Sequence, residues 1–344
     1  GDGWRIEGEK IFISGGDQDL SANILHLVLA RTGAVQDGVR GLSLFLCDRA
    51  SAGDRIKITR IEEKLGLHAS PTCQMAFDGA PAELIGAEGQ GLRAMFKMMN
   101  HARIDVALQG VAHASRAHQL AAAYACERVQ GRKADGSPAV LADHPDVRRM
   151  LADQRALALG ARAMCHLTLR EMERGSRPAL VEFLTPLCKM FATDAGIRAA
   201  DLGIQVLGGY GYLTEYRVSQ TWRDARITAI YEGANGIHAL GLATRGLRHD
   251  EGAGAAQFDA LIGELAGDEP EVTALREVWR AARQALGADP DPAERAPDFG
   301  QLTADLFYRA VWCHIARSGA AHPGAAERAR LRAHVLARPW VVRV

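Results

Sequence analysis

The stretch 82-AELIGAEGQGL-92 decides how the chain is built, because the hydrophobic period changes across it. Upstream, "GWRIEGEKIFIS", "NILHLVLART", "GLSLFLCD", "DRIKITRI" and "TCQMAFDG" are short alternating runs separated by Gly, Asp and Ser. Such runs predict strands, and several in a row predict a sandwich or barrel. Downstream, apolar residues recur at three- and four-residue steps, as at Met95, Met98, Met99, Val106, Leu108 and Val111. That spacing predicts a helix from Leu92 to about Gln130, followed by a loop with Gly136, Pro138 and Pro145. Further helices are predicted over about 145–174, 181–207 and 219–247. Four long helices with short connections imply an antiparallel bundle. Residues 248–344 are again helical in pattern, Ala/Arg-rich and broken by "GADPDPAERAPDFG" at 287–300. The terminal "LARPWVVRV" fits no helical pattern. The expected fold class is mainly α with a β domain.

Composition narrows the function. Lys+Arg and Asp+Glu balance at 41 each, and no basic block stands out, so neither nucleic acid nor an anionic membrane surface is an expected partner. No apolar run approaches the ~20 residues of a membrane span. Six cysteines without a C-x-x-C pair favour a reduced compartment, and the twelve histidines show no metal-ligand spacing, so no metal is expected. The chain opens at "GDGWRIEGEK", without Met and within strand-like alternation, which reads as a fragment lacking its upstream part. A bacterial cytoplasmic location is the expectation.

Four short stretches carry candidate chemistry. In 226-RITAIYEGANGIHALGLATRGL-247 a single carboxylate, Glu232, interrupts a helical apolar pattern beside Gly233 and Gly236. A glutamate on a helix is ordinarily solvated. Among Ile230, Tyr231 and Ile237, with glycines that let a ligand approach the backbone, a desolvated carboxylate suits a general base. In 205-QVLGGYGYLTEY-216, Gly208, Gly209 and Gly211 read as a helix end, and their bare amides could also receive a phosphate or an adenine edge. They are no dinucleotide fingerprint, which needs a strand before it. In 8-GEKIFISGG-16, Phe12 and Ser14 stand two apart, hence on one face of a strand, and could line a planar cofactor. In 100-NHARIDVALQG-110, Arg103 lies in an apolar run, placed either to snorkel or to meet an anionic substrate or Asn100.

Taken in order, "GDGWRIEGEKIFISGG", "EEKLGLHASPTCQMAFDGAPAELIGAEGQGL", "MMNHARIDVALQG", "HPDVRRML", "QVLGGYGY" and "RDARITAIYEGANGI" resemble the acyl-CoA dehydrogenase family from residue 1 to about 247. The tail after 250 is similar to a large bacterial subfamily with an extra C-terminal helical domain, which includes enzymes named for 3-methylthiopropanoyl-CoA. The resemblance implies a middle β-barrel over 1–84, incomplete at its start. It implies a four-helix bundle over 85–249 that binds FAD and substrate, and an appended helical domain over 250–344. A homodimer or homotetramer and an electron-transferring flavoprotein as acceptor are implied as well. Glu232 would then remove the α-proton of an acyl-CoA thioester while a hydride leaves the β-carbon for flavin N5, giving a trans-2-enoyl-CoA. The backbone N–H of Glu232, with a flavin ribityl hydroxyl, would polarise the thioester carbonyl.

By the same resemblance, Ser14 would hydrogen-bond the flavin near N5 and Phe12 would pack beside the ring. Arg128 would reach the FAD phosphate, Gln205, Gly208 and Gly209 would contact the adenosine half across a subunit interface, and Gly233 would face the cofactor. Asn100, Arg103 and Tyr231 fall on the substrate side. The family's Y-E-G-T is "YEGA" here, so Ala234 supplies no hydroxyl, and Gln130 and Gly131 replace the usual Thr and Phe after Arg128. One lost neutral hydrogen bond costs on the order of 1 kcal/mol, which lowers FAD affinity several-fold. Two other readings compete. A flavin oxidase of the nitroalkane-oxidase type commonly has Asp in place of this Glu, and a non-catalytic DNA-binding relative fits poorly with balanced charge.

Overall fold

The computed structural model describes residues 3–339. Gly1 and Asp2 of the opening segment, and Trp340–Val344 of the terminal stretch, lie outside the described residues. The chain divides into two compact units, residues 1–101 and 102–344.

The first unit is an antiparallel sheet of β1 (Trp4–Ser14), β2 (Leu25–Arg31), β3 (Leu42–Asp48), β4 (Ile56–Ile61) and β5 (Thr72–Ile85), with one turn of helix, α1 (Arg49–Ala52). The order is β1-β5-β3-β2, and β4 also pairs with β5. Each strand stands where the alternation predicts it. On β5, Cys73, Met75 and Phe77 are buried in turn and form a core with Ile6, Val28, Phe45, Cys47 and Ile56. β5 runs six residues beyond Gly79, where the alternating run ends. Gly79 is a bulge rather than a terminus: it has φ +62°, and the pairing slips beside it, Ile6 facing Ala80 and Gly8 facing Phe77.

A helix, α2 (Gly91–Glu127), begins in the first unit and continues into the second. It stops three residues short of the predicted Gln130, because Val129–Arg132 (β6) and Pro138–Val140 (β7) form a hairpin in the stretch expected to be helix end and loop. Then follow α3 (Pro145–Arg174) and α4 (Pro178–Leu207), both opened by a proline whose missing N–H is harmless in a first turn. α4 is buried nearly all round and packs against α3 and against four of the helices that follow it, as expected for a helix apolar on every face.

The predicted fourth helix is broken. α5 (Val218–Arg226) and α6 (Asn235–Ala243) are separate, joined through a single 3-10 turn and a left-handed bend. After the short α7 (Arg245–Arg248) come α8 (Ala253–Ala266), α9 (Pro270–Ala288), α10 (Ala296–Ser318) and α11 (Ala325–Leu336). The Pro-rich break between α9 and α10 falls where the sequence puts it. α10 packs against α3, α4, α6, α8, α9 and α11, and its Phe307 and Trp312 are fully buried. α2 and α4 touch backbone to backbone: a Cβ on Gly110 would lie 2.1 Å from the Ala192 carbonyl oxygen. Among the described residues, no helix is long and apolar enough to cross a membrane.

Candidate functional site

The break between α5 and α6 is local chemistry. Thr228 donates its hydroxyl to the Ala225 carbonyl at 2.7 Å, and the amides of Ile230 and Tyr231 close back onto Ile227, ending the helix. The chain then turns left-handed at Glu232 (φ +53°) and Gly233 (φ +94°), and Ala234 opens α6. A non-glycine residue in this region costs roughly 1–2 kcal/mol. Glycine is required at 233 twice over, since a Cβ there would also sit 2.8 Å from His238 Nε2.

Two buried side chains hold this turn from behind. His238, on α6, donates from Nε2 to the Glu232 carbonyl at 3.1 Å. Burial, then the Arg103 and Lys189 cations, push its pKa down to about 4, so the ring is neutral and carries its proton on Nε2. Lys189, on α4 and wholly buried, donates from Nζ to the Gly233 carbonyl at 2.7 Å and to Asn235 Oδ1 at 3.0 Å. Asn235 in turn donates to Asp194 Oδ1 at 2.9 Å and Thr193 Oγ1 at 3.1 Å, and Thr193 donates to the Lys189 carbonyl at 2.7 Å. The Glu232 carboxylate takes part in none of these bonds.

Two further groups on α2 bear on the turn. Tyr231 donates its hydroxyl to Gln109. Burial raises the Tyr231 pKa, so it stays a neutral donor at ordinary pH. Arg103 is half-buried; desolvation and the nearby Arg245 depress its pKa, and the Glu232 charge opposes that. The arrangement is one half-exposed carboxylate with a fixed backbone, surrounded by cations and a neutral imidazole. It can accept a proton while the cations stabilise negative charge developing beside it.

Two features differ from the sequence expectation. Ile230 is 51 % exposed and Ile237 is 64 % exposed, so these two do not bury Glu232, because the bend between α5 and α6 turns them outward. On β1, Phe12 has φ +58° and sits in a bulge where Ile11 and Phe12 together oppose Gln74. Plain alternation therefore does not relate Phe12 to Ser14, although both are exposed, Phe12 by 69 %. Asn100 is half-buried and belongs to the first unit, on the same helix as Arg103.

The second unit brings Arg128 and the glycine segment together. Arg128, exposed at the root of the hairpin, stands 5.6 Å from the centre of the Tyr210 ring, which packs with Tyr124 and Tyr216. Gly208 has φ +60°, and a Cβ on Gly209 would meet nothing within 4 Å, so exposed bare backbone lies on the segment that also carries Gln205. The Gly208 amide itself closes back onto the Gln205 carbonyl, so what the segment offers an anion is the exposed Arg128 guanidinium beside backbone that no side chain covers.

Lys189, His238, Asn235 and Gln109 were not singled out in the sequence. A lone lysine inside the apolar run "FLTPLCKMFATDAG" is the same signal that marks Arg103 and would have found the first of them.

Residues 89–247 match the family described as "Acyl-CoA dehydrogenase, C-terminal domain". The chain is 43 % identical over 312 residues to 3-methylmercaptopropionyl-CoA dehydrogenase of Ruegeria pomeroyi, covering 84 % of this chain and 53 % of the relative. It is 34 % identical over 293 residues to the broad-specificity linear acyl-CoA dehydrogenase FadE5 of Mycobacterium tuberculosis, covering 76 % of this chain and 48 % of the relative. The chain thus spans about half the length of the curated relatives it matches. Caenorhabditis elegans ACDH-11, solved in complex with C11-CoA, shares the fold with a TM-score of 0.80 at 24 % identity, covering 97 % of this chain and 59 % of that one.

Proposed function

We propose, from the premise that this chain belongs to the acyl-CoA dehydrogenase family, that it carries the base and much of the cofactor-binding surface of an FAD-dependent acyl-CoA dehydrogenase. The reaction takes an acyl-CoA thioester to the trans-2-enoyl-CoA, a step of the β-oxidation type. Glu232 removes the α-proton, and its backbone N–H donates to the thioester carbonyl oxygen as charge builds there. FAD, when bound, would supply the acceptor for the β-hydride, its flavin N5. Arg128 is assigned to the FAD phosphate, Gln205, Gly208 and Gly209 to the adenosine half, Gly233, Phe12 and Ser14 to the flavin. Arg103, Asn100 and Tyr231 are assigned to the substrate. The reading carries a β-barrel over 1–84, a four-helix bundle over 85–249 and an appended helical domain over 250–344. It also carries a homodimer or homotetramer reoxidised by an electron-transferring flavoprotein.

The observation that carries the proposal is the turn at Glu232. Both carbonyls of the Glu232–Gly233 pair are tied down by His238 and Lys189, while the carboxylate is left out of those bonds. A carboxylate that is to take a proton needs a fixed backbone and a side chain left free of those bonds, and Glu232 has both.

Anaerobic titration of the FAD-loaded protein against a panel of acyl-CoAs, including 3-methylthiopropanoyl-CoA, tests it. Bleaching of the flavin by one class of thioester is expected, with Glu232→Gln keeping its flavin yellow. Flavin that stays oxidised with every thioester, or bleaching that survives Glu232→Gln, overturns the assignment.

A further inference from the structure

Lys189 is a fully buried cation reaching out of α4 to Gly233 and Asn235, the first and third residues after Glu232. Its Nζ spans Gly233 and Asn235, and Asn235 is locked in turn to Asp194 and Thr193 on α4. Removing a lysine from water is expensive, and an apolar side chain would fill the same volume at less cost. The packing of α4 therefore gives no reason for a charge here, whereas the turn does: two successive left-handed residues need an outside hold, and charge-assisted hydrogen bonds are roughly twice as strong as neutral ones.

We propose that Lys189 is a positioning residue for Glu232, its ammonium gripping the Gly233 carbonyl and Asn235 so that the turn holds the carboxylate where it can meet a substrate proton. This rests on the reading of Glu232 as the base. Loss of the ammonium proton slackens the grip, so the turn loosens as pH rises. The groups that face Nζ are Asp194 on α4 and Glu232 on the turn, which favour its charge, and Arg103 on α2, which opposes it. His238 on α6 is neutral throughout the alkaline range. Desolvation outweighs the two carboxylates and brings Lys189 down to about 8, within reach of a working pH.

The test follows flavin reduction by a saturating acyl-CoA in FAD-loaded wild type, Lys189→Met and Lys189→Arg, from about pH 6.5 to 9.5. In wild type the rate should fall on the alkaline side around pH 8. Lys189→Met should lower kcat by roughly 10–100-fold with KM little changed, and should lose the alkaline fall. Lys189→Arg, which keeps its charge over this range, should recover part of kcat and also lack the fall. A Lys189→Met protein that matches wild type in rate and profile, or loses only KM, overturns the inference. Amide exchange of residues 231–236 in wild type needs no variant and decides the matter if Lys189→Met fails to fold. Exchange there should accelerate between about pH 7 and 9 more steeply than at other loops of the second unit; a parallel rise overturns the inference. If no thioester bleaches the wild-type flavin, the dehydrogenase reading falls, and the exchange measurement still reports whether Lys189 holds the turn.

Discussion

His238 gives its Nε2 proton to the Glu232 carbonyl at 3.1 Å, so α6 holds the backbone of a residue that lies before its own first turn. The bond needs neutral imidazole only in the sense that burial forbids the charged one: the pKa lies at about 4 against 6.5 in the open chain.

Between those two values the unfolded chain binds more protons than the folded one, so stability rises with pH across that window and is lost as pH falls through it. The loss from this group is on the order of 3 kcal/mol at its fullest. Urea unfolding of wild type and His238→Gln at a series of pH values checks it. The wild type should weaken more between pH 6.5 and 4; equal slopes would remove His238 as the cause.

Gly233→Ala should break the turn by two routes. It strains a backbone at φ +94° and places a Cβ 2.8 Å from His238 Nε2. A loss of about 1–3 kcal/mol in stability is expected, together with at least a tenfold slower flavin reduction, since the base moves with the backbone. Thermal melting and stopped-flow absorbance read the two effects separately.

Arg128→Ala should weaken FAD by roughly tenfold or more, the worth of a charge-assisted bond to phosphate. Tyr210→Leu keeps the guanidinium but removes the ring 5.6 Å from it, and should weaken FAD by less. Titration of the apoprotein with FAD, followed by flavin fluorescence, ranks the two variants; the reverse ranking would move the phosphate contact away from Arg128.

Two glycines should respond to alanine in opposite directions. Gly110→Ala drives a Cβ to 2.1 Å from the Ala192 carbonyl and should cost about 1–3 kcal/mol, lowering Tm by several degrees. Gly236→Ala, in the first turn of α6 with nothing within 4 Å of its new Cβ, should raise Tm slightly, because alanine loses less backbone entropy in a helix.

Period told most of the architecture. The five strands and the long helices α2, α3 and α4 follow from alternation of two and of about 3.6, since each buries one face or all of one. Period fails where a single residue changes backbone conformation. Gly79 reads as the end of a strand and is a bulge within it; Arg128–Gly131 reads as a helix end and starts a hairpin; the run from Ile227 to Ile237 reads as apolar helix and is a bend that leaves Ile230 and Ile237 in solvent. Glu232 was legible because a carboxylate among glycines is out of place in an apolar pattern. A lone lysine in an apolar run marks Lys189 in the same way, but what it holds is not legible, since its partners Gly233 and Asn235 are 44 and 46 residues away and only folding brings them to it.

The close seat of α10 has a further meaning. Gly300 admits α10 so near to α6 and α4 that a Cβ there would come within 2.9 Å of both Ala239 and Met190. Ala239 lies on α6 directly after His238, and Met190 lies on α4 directly after Lys189. The last third of the chain is thus the anvil on which the two restraints of the turn rest, and a lesion near residue 300 would reach Glu232 without touching a single residue of the site.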